Sequence, residues 1–150
     1  MPVLVFNRQV RRDYEILEKF EAGVVLSGGE VKSLKNGRGQ MRGSYVKVDM
    51  EREVYLYGAH ISPYQPAGQK DYDPERPRKL LLSKSEIEHL LAAARGKNLT
   101  IVPVKVYTAR RGLIKVEIAL ARGKRKHEKR RKIQEIQDKR EIQRTLKRYK

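Results

Sequence analysis

The sequence predicts a mainly β fold with some α: a small, closed, antiparallel barrel carrying a few helices and followed by a basic tail. Three observations lead there. Two pairs of segments alternate apolar and polar residues with period two, the spacing of a half-buried strand. Each pair is joined by a connection of hairpin length, so neighbours run antiparallel and no strand–helix–strand rhythm develops. Finally, residues 121–150 abandon the alternation and fill with charge.

Taken in chain order, residues 14–20 and 23–26 read as strands. Residues 29–35 read as a short helix, with Val31 and Leu34 on one face and Gly37 as its stop. In 44–49, Val46 and Val48 alternate with Tyr45, Lys47 and Asp49. In 53–61, Val54, Leu56 and Gly58 fall on one side and Tyr55, Tyr57 and Ala59 on the other, with Met50, Glu51 and Arg52 as the hairpin connection. Residues 62–78 contain Pro63, Pro66, Pro74, Pro77 and Gly68 and read as one long loop, a type of segment that is often functional. A second helix begins near Ser83 or Ser85, because Ser83-Lys84-Ser85-Glu86 fits a capping box. Its buried stripe is Ile87, Leu90, Leu91 and Ala94, and Gly96 fits its C-terminal cap. Residues 100–108 and 113–121 form the second strand pair around Ile101, Val104, Val106, Ile114, Val116, Ile118 and Leu120. Ala109-Arg110-Arg111-Gly112 between them suits a turn in which glycine supplies a positive φ. Five or six such strands suggest a barrel of the OB type, an architecture that commonly binds oligonucleotides. The architecture alone assigns no function.

Charge divides the chain. Its 150 residues hold 35 Lys+Arg against 18 Asp+Glu, a net +17. Residues 121–150 hold 14 against 4, or +10, and residues 1–120 hold 21 against 14, or +7. The expected division is a barrel over 1–122 and a tail over 123–150. In the tail, Ile142, Leu146 and Tyr149 share one helical face, but Ile133 and Ile136 fall elsewhere, so no continuous apolar stripe exists. Self-repulsion and sparse apolar residues favour disorder when the tail is free. Its Glu, Gln, Lys, Arg and Ile content favours a helix once a polyanion neutralises it. A plain solubilising tail is the alternative. Cysteine is absent, which excludes disulfides, a thiolate nucleophile and Cys-ligated metal. There is no apolar run long enough to cross a membrane, and the N-terminal apolar stretch is too short for a signal peptide, so the expected location is the cytoplasm.

Catalytic patterns are missing. Gly37, Gly39 and Gly43 break the dinucleotide-binding spacing, and no phosphate-loop motif occurs. His60, His89 and His127 show no metal-ligand spacing, so neither a metal nor a cofactor is expected. A metal-free ribonuclease using two distant histidines stays open as an alternative. Asp13 lies near Arg11 and Arg12, and Glu75 beside Arg76, as ordinary ion pairs do. Glu21, between Phe20 and Ala22-Gly23, is either a partly buried acceptor for an RNA amino or 2′-hydroxyl proton or a strand-edge carboxylate. Tyr45, Tyr55, Tyr57, Tyr64, Tyr72 and Tyr107 stand among lysines and arginines; each is open to base stacking, though packing explains any one of them more simply.

Nine strings in order carry a resemblance: Asn7-Arg8, Asp13-Tyr14-Glu15-Ile16, Phe20-Glu21-Ala22-Gly23, Gly29-Glu30-Val31-Lys32-Ser33-Leu34, His60-Ile61-Ser62-Pro63-Tyr64, Arg78-Lys79-Leu80-Leu81-Leu82, Leu99-Thr100-Ile101-Val102-Pro103, Val116-Glu117-Ile118-Ala119-Leu120-Ala121-Arg122-Gly123-Lys124 and His127-Glu128-Lys129-Arg130. From Asn7 into the tail the chain resembles the small protein B family, the bacterial partners of transfer-messenger RNA in trans-translation. The resemblance implies an OB-like barrel with about three helices and no enzymatic activity. It implies binding to the tRNA-like domain of transfer-messenger RNA and delivery of that RNA to stalled ribosomes. The implied RNA-contacting residues are Asn7, Arg8, Arg12, Glu21, Lys115, Arg122, Gly123, Lys124 and Arg125. The implied tail motif, His127, Glu128, Lys129 and Arg130, enters the decoding centre against small-subunit rRNA, with the following residues helical in the empty mRNA channel. Elongation factor Tu is a further implied partner in the delivery complex, and the protein is expected to act as a monomer. Three residues depart from the family pattern. Arg12 replaces a histidine and adds charge, Gly28-Gly29 replaces Gly-Thr and is expected to loosen the helix start, and Glu128 replaces aspartate and lengthens the reach. A structural ribosomal protein, stoichiometric on all ribosomes, remains a third reading.

Overall fold

The computed structural model describes residues 2–64, 71–95 and 98–124. The expected Gly96 cap, Arg125 and the tail motif lie outside the described residues. Among the described residues nine strands and three α-helices follow one another as β1 (Val3–Phe6), α1 (Arg8–Asp13), β2 (Tyr14–Val24), α2 (Gly28–Lys35), β3 (Gly39–Gln40), β4 (Tyr45–Val48), β5 (Val54–Tyr57), β6 (His60–Ile61), β7 (Arg78–Leu81), α3 (Lys84–Ala94), β8 (Leu99–Thr108) and β9 (Ile114–Gly123).

Seven strands pair in the order β1-β8-β4-β5-β7-β2-β9, and β8 also pairs with β9, which closes the sheet on itself as an OB-like barrel. Closure leaves no open edge along most of the sheet. The long strand β8 makes it possible by changing partners. Near its start Ile101 faces Val46 of β4, and farther along Lys105, Val106 and Tyr107 face β1. The change falls at a register shift between Pro103 and Lys105. Proline cannot donate to a ladder, so a bulge there costs little. Asn7 fills the gap: its amide N–H donates to the Val104 carbonyl at 2.8 Å, and its side-chain amide donates to the Pro103 carbonyl at 3.0 Å and the Met41 carbonyl at 3.3 Å.

The main core fills the barrel with Val46, Val54, Leu56, Leu80, Ile101, Val106, Val116, Ile118 and Leu120, the inward residues of alternating strands. A second, smaller core lies outside the barrel wall. There Val10 of α1 packs on Val102, Val104, Ala119 and Ala121, with Tyr14 and Ile16 at its margin. Small outward residues on β9 thus make room for a helix.

Both longer helices start with complete capping boxes, Ser27 with Glu30 and Ser83 with Glu86. The Gly28-Gly29 pair thus lies within a complete cap, whose two side-chain hydrogen bonds hold the Ser27 and Glu30 amides. Glu30 also anchors a buried ionic cluster. Its Oε2 accepts from Arg78 Nε at 2.9 Å and Arg78 Nη2 at 2.7 Å, and from the Tyr72 hydroxyl at 3.0 Å, while Arg76 binds both carboxylate oxygens. Arg78 further donates to the Ala59 carbonyl at 2.7 Å. Burial alone would raise the Glu30 pKa; hydrogen bonds from Arg76, the Ser27 amide and Arg78, with the charge of Arg78, hold it instead at about 2.

Several sequence expectations change. Strand β7 begins at Arg78, the last residue of the expected loop, and runs on through Leu81, a stretch read as no element; Arg78 sits inside the wall, where it meets Glu30. The expected strand 53–61 breaks at Gly58, whose φ of +78° turns the chain, and His60–Ile61 pairs instead with Gly39–Gln40. The segments 14–20 and 23–26 are one strand through Val24. Strand β1 and helix α1 had no readable signal, since α1 buries only Val10. The α3 stripe rotates slightly: Ile87, Leu90 and Ala93 meet the core, and Leu91 and Ala94 line a groove against Val48 and Leu99. The β8–β9 turn is a tight 3-10 turn, Arg110–Gly112, in which Arg111 as well as Gly112 has positive φ.

Candidate nucleic-acid interface

The β2–β9–β8 part of the wall presents a charged outer face. Cross-strand neighbours share a face, so the registers Glu21↔Glu117, Gly23↔Lys115, Lys105↔Glu117 and Tyr107↔Lys115 bring these side chains together. Glu117 lies between Lys19 at 3.5 Å and Lys105 at 3.4 Å. Lys105 Nζ also sits 5.6 Å from the centre of the Tyr107 ring. A pocket of about 210 Å³ opens here, lined by Glu21, Tyr107, Ala109, Arg110, Leu113 and Lys115. The Tyr107 hydroxyl is buried and lacks a hydrogen bond of normal geometry. Burial raises its pKa first, and the neighbouring Glu21 carboxylate raises it further. The phenol therefore stays protonated. Glu21 itself is exposed, not partly buried, and its carboxylate stands beside the Tyr107 hydroxyl at the mouth of the pocket.

A second group lies on α1. Arg8 and Arg12, four residues apart, occupy one helix face. With Phe6, Asn7, Gln9, Met41 and Arg42 they line a depression of about 340 Å³. Gln9 Oε1 accepts the Gly43 amide at 2.7 Å, which ties the Arg42 loop to the helix. Arg11 stacks its guanidinium 5.2 Å over Phe6. Asn7 is the exception in this group: it is buried, and its amide is spent on the two backbone carbonyls, so it positions the helix start from inside.

The third group is the barrel exit. Arg122 lies opposite Glu15 and Gly123 opposite Tyr14, and the Lys124 amide donates to the Asp13 carbonyl at 2.9 Å. The end of β9 is thus bonded to the end of α1. A Cβ on Gly123 would meet only a Tyr14 ring carbon at 3.8 Å, so nothing within the barrel demands glycine there.

The fold therefore joins Arg8, Arg12, Arg122, Gly123 and Lys124 around α1, and places Glu21 and Lys115 farther along the same β2–β9 ladder. The seven-residue interval from Tyr14 to Glu21 spans roughly 23 Å of strand, on the scale of an RNA helix rather than of a small ligand. Arg42, Lys105 and Arg110 join the surface without having been singled out as contacts, and Tyr107, one of the tyrosines open to stacking, joins it with its hydroxyl buried. Arg110 stood in a visible turn, but Arg42 and Lys105 reach the face only through tertiary pairing. Neither histidine suggests a reaction. His60 lies 3.8 Å from Glu75, and His89 on α3 lies 2.7 Å from Glu18, each on a separate element. Among the described residues no three His, Cys, Asp or Glu gather as a metal site, and no helix is long and apolar enough to cross a membrane.

Comparison with known proteins gives consistent results. The family described as SmpB protein matches residues 4–148. A relative from Sulfurihydrogenibium sp., named SsrA-binding protein, is 48% identical over 97% of this chain and 94% of its own length. Relatives of the same name from Moorella thermoacetica and Chloroflexus aggregans are 46% and 48% identical, over 96% and 97% of this chain and 92% of each of their own lengths. A solved structure described as "tmRNA-SmpB: a journey to the center of the bacterial ribosome" superposes with a TM-score of 0.69 at 47% identity, covering 84% of this chain and 87% of its own.

Proposed function

The chain belongs to the SmpB family, and on that premise we propose that it is an RNA-binding adaptor, not an enzyme, which binds the tRNA-like domain of transfer-messenger RNA and delivers it to stalled ribosomes for trans-translation. The observation that carries the reading is the cluster of Arg8, Arg12, Arg122 and Lys124 where α1 meets the barrel exit, continued along the β2–β9 ladder by a mixed face on which Lys19, Lys105 and Lys115 stand among Glu21 and Glu117. A folded tRNA-like RNA offers phosphates, 2′-hydroxyls and splayed bases, not a readable major groove, so a protein selects it by shape over such a span. Arg8, Arg12, Arg122 and Lys124 supply phosphate contacts. Gly123 lets RNA backbone approach the exit. Lys115 and Glu21 flank the Tyr107 pocket, where a carboxylate accepts and an ammonium donates. Asn7 acts by fixing the start of α1.

Residues 123–150 form the second working part in this reading. Arg125 extends the exit contacts. His127, Glu128, Lys129 and Arg130 enter the decoding centre, and the remainder becomes helical against small-subunit rRNA once its charge is neutralised. An mRNA in the channel excludes it, so stalled ribosomes are selected without catalysis. Elongation factor Tu completes the delivery complex, and the protein acts as a cytoplasmic monomer.

Titrating the isolated tRNA-like domain into the full chain, across a salt series with bulk tRNA as competitor, tests the body's role. Selective binding that weakens in Lys115→Ala and Glu21→Ala supports the reading. Unselective binding whose salt slope accounts for nearly all the affinity would leave a general polyanion binder. Stoichiometric association with all ribosomes would favour a structural ribosomal protein.

A further inference from the structure

The tyrosines among the described residues sort into three groups. Tyr14 lies against the outer core, and Tyr107 is buried in the pocket described above. Tyr72 belongs to the Glu30 cluster, and Tyr64 lies under Lys32. Tyr45, Tyr55 and Tyr57 do none of these things. They are absent from both cores, and all three point outward from the barrel. The registers Tyr45↔Tyr57, Lys47↔Tyr55 and Tyr55↔Lys79 put three rings and two lysines on one face of β4–β5–β7. Tyr45 is 39% exposed. Its ring stacks on Tyr57 with centroids 5.6 Å apart and planes 19° apart, and Tyr55 follows, tilted, at 6.3 Å from Tyr57. Lys47 Nζ lies 5.4 Å from the Tyr45 ring centre.

This face stands apart from the one assigned to transfer-messenger RNA. Around the closed sheet, β5 is separated from β9 by β7 and β2 on one side and by β4 and β8 on the other. The two surfaces lie on opposite sides of the barrel.

We propose that the outer face of β4–β5–β7 is a second RNA surface, a platform for a short single-stranded segment whose bases continue the Tyr45–Tyr57–Tyr55 stack and whose phosphates meet Lys47 and Lys79. Rings on a barrel wall accept any base, because every base has a π-face. Lys47 leaves the Tyr45 ring for a phosphate as a base takes its place. Lys79 is shared with Glu53 at 2.7 Å, and Asp49 caps the hairpin amides of Glu51 and Glu53. That acidic hairpin tip repels phosphate and confines the strand to the Tyr45–Tyr57 end. The proposal stands independently of the transfer-messenger-RNA reading.

The test uses the full chain and a 5-iodouridine-containing uridine decamer, with affinity read by fluorescence anisotropy over a salt series. High salt suppresses the tail's sequence-independent contribution. Irradiation should crosslink the oligomer to peptides carrying Tyr45 or Tyr57. Replacing both with phenylalanine should preserve binding, because the ring is what stacks. Tyr45→Ala with Tyr57→Ala should weaken it roughly five- to hundredfold per stacked base without changing the salt slope. Tyr45→Leu with Tyr57→Leu keeps an apolar strand face if the alanine pair fails to fold, and it should weaken the decamer while leaving the tRNA-like domain bound. Equal affinity in the leucine pair, or crosslinks confined to other tyrosines and the tail, overturns the platform. Loss of the tRNA-like domain in Lys115→Ala with decamer binding intact separates the two surfaces.

Discussion

Replacing Glu30 with glutamine removes the charge that holds Arg76, Arg78 and Tyr72 in one buried cluster. The magnitude follows from the carboxylate's own titration. Its pKa falls from 4.5 to about 2 on folding. At about 1.4 kcal/mol per unit, that gap corresponds to about 3 kcal/mol of stability. Because the folded pKa is the lower one, this contribution is fully present above pH 4.5 and disappears as pH falls towards about 2. The glutamine variant lacks it at every pH. It also leaves Arg78, whose side chain is 1% exposed, without a counter-charge. Removing one partner of a buried pair costs about 3–5 kcal/mol. Urea unfolding followed by circular dichroism, from pH 7 to pH 2, measures both effects. The wild type should lose about 3 kcal/mol more than Glu30→Gln across the acid limb. At pH 7 the variant should be the less stable by a similar or larger amount. Added salt should change little, since the pair is shielded from screening. Equal stability at pH 7, together with parallel acid limbs, would refute the assignment of Glu30 as the anchor of α2 and β7.

A Cβ on Gly39 would stand 2.6 Å from Leu34 Cδ2 and 2.9 Å from Val5 Cγ2. Gly39→Ala should therefore cost about 1–3 kcal/mol through overpacking, read as a lower urea midpoint at unchanged slope. Asn7→Ala takes the buried side-chain amide from the Pro103 carbonyl, while the Met41 carbonyl keeps its Ser44 donors, and should cost about 1–3 kcal/mol in the same assay. Any loss of RNA affinity in Asn7→Ala should come with that instability, not with a changed salt slope. Arg12→Ala, on the exposed face of α1, should do the reverse. Stability should hold, and the slope of log affinity against log salt should shrink by roughly 0.7–0.9 for the lost phosphate contact.

Much of this was legible in the chain itself. Period-two alternation around Val46, Leu56, Ile101 and Val116 located the central strands, because a wall with one buried face imposes that spacing. Ser83 and Glu86 were legible as a cap because residues three apart carry that signal; Ser27 and Glu30 have the same spacing but go unread when the helix is started at residue 29. Other features left no local trace. Helix α1 is too short for a period to show. Strand β7 hid behind prolines because its reason for being a strand is Arg78 reaching Glu30, 48 residues away in sequence. Glu21 read as either partly buried or exposed, and only the pairing with Glu117 and the late start of the β2–β7 ladder at Gly23 decided it. Asn7 is the clearest divergence: its neighbours mark it as an RNA contact, whereas the fold buries it beneath the helix it starts.

The barrel class, the concentration of positive charge in the last thirty residues and the family were all written in the chain, because alternation, charge density and ordered motifs are properties of neighbouring residues. Which residues share a surface came from the folded barrel. It set Lys115 beside Tyr107, Arg42 beside Arg8, and Tyr45 on Tyr57, because barrel closure sets the cross-strand registers and those are fixed by packing of the whole wall.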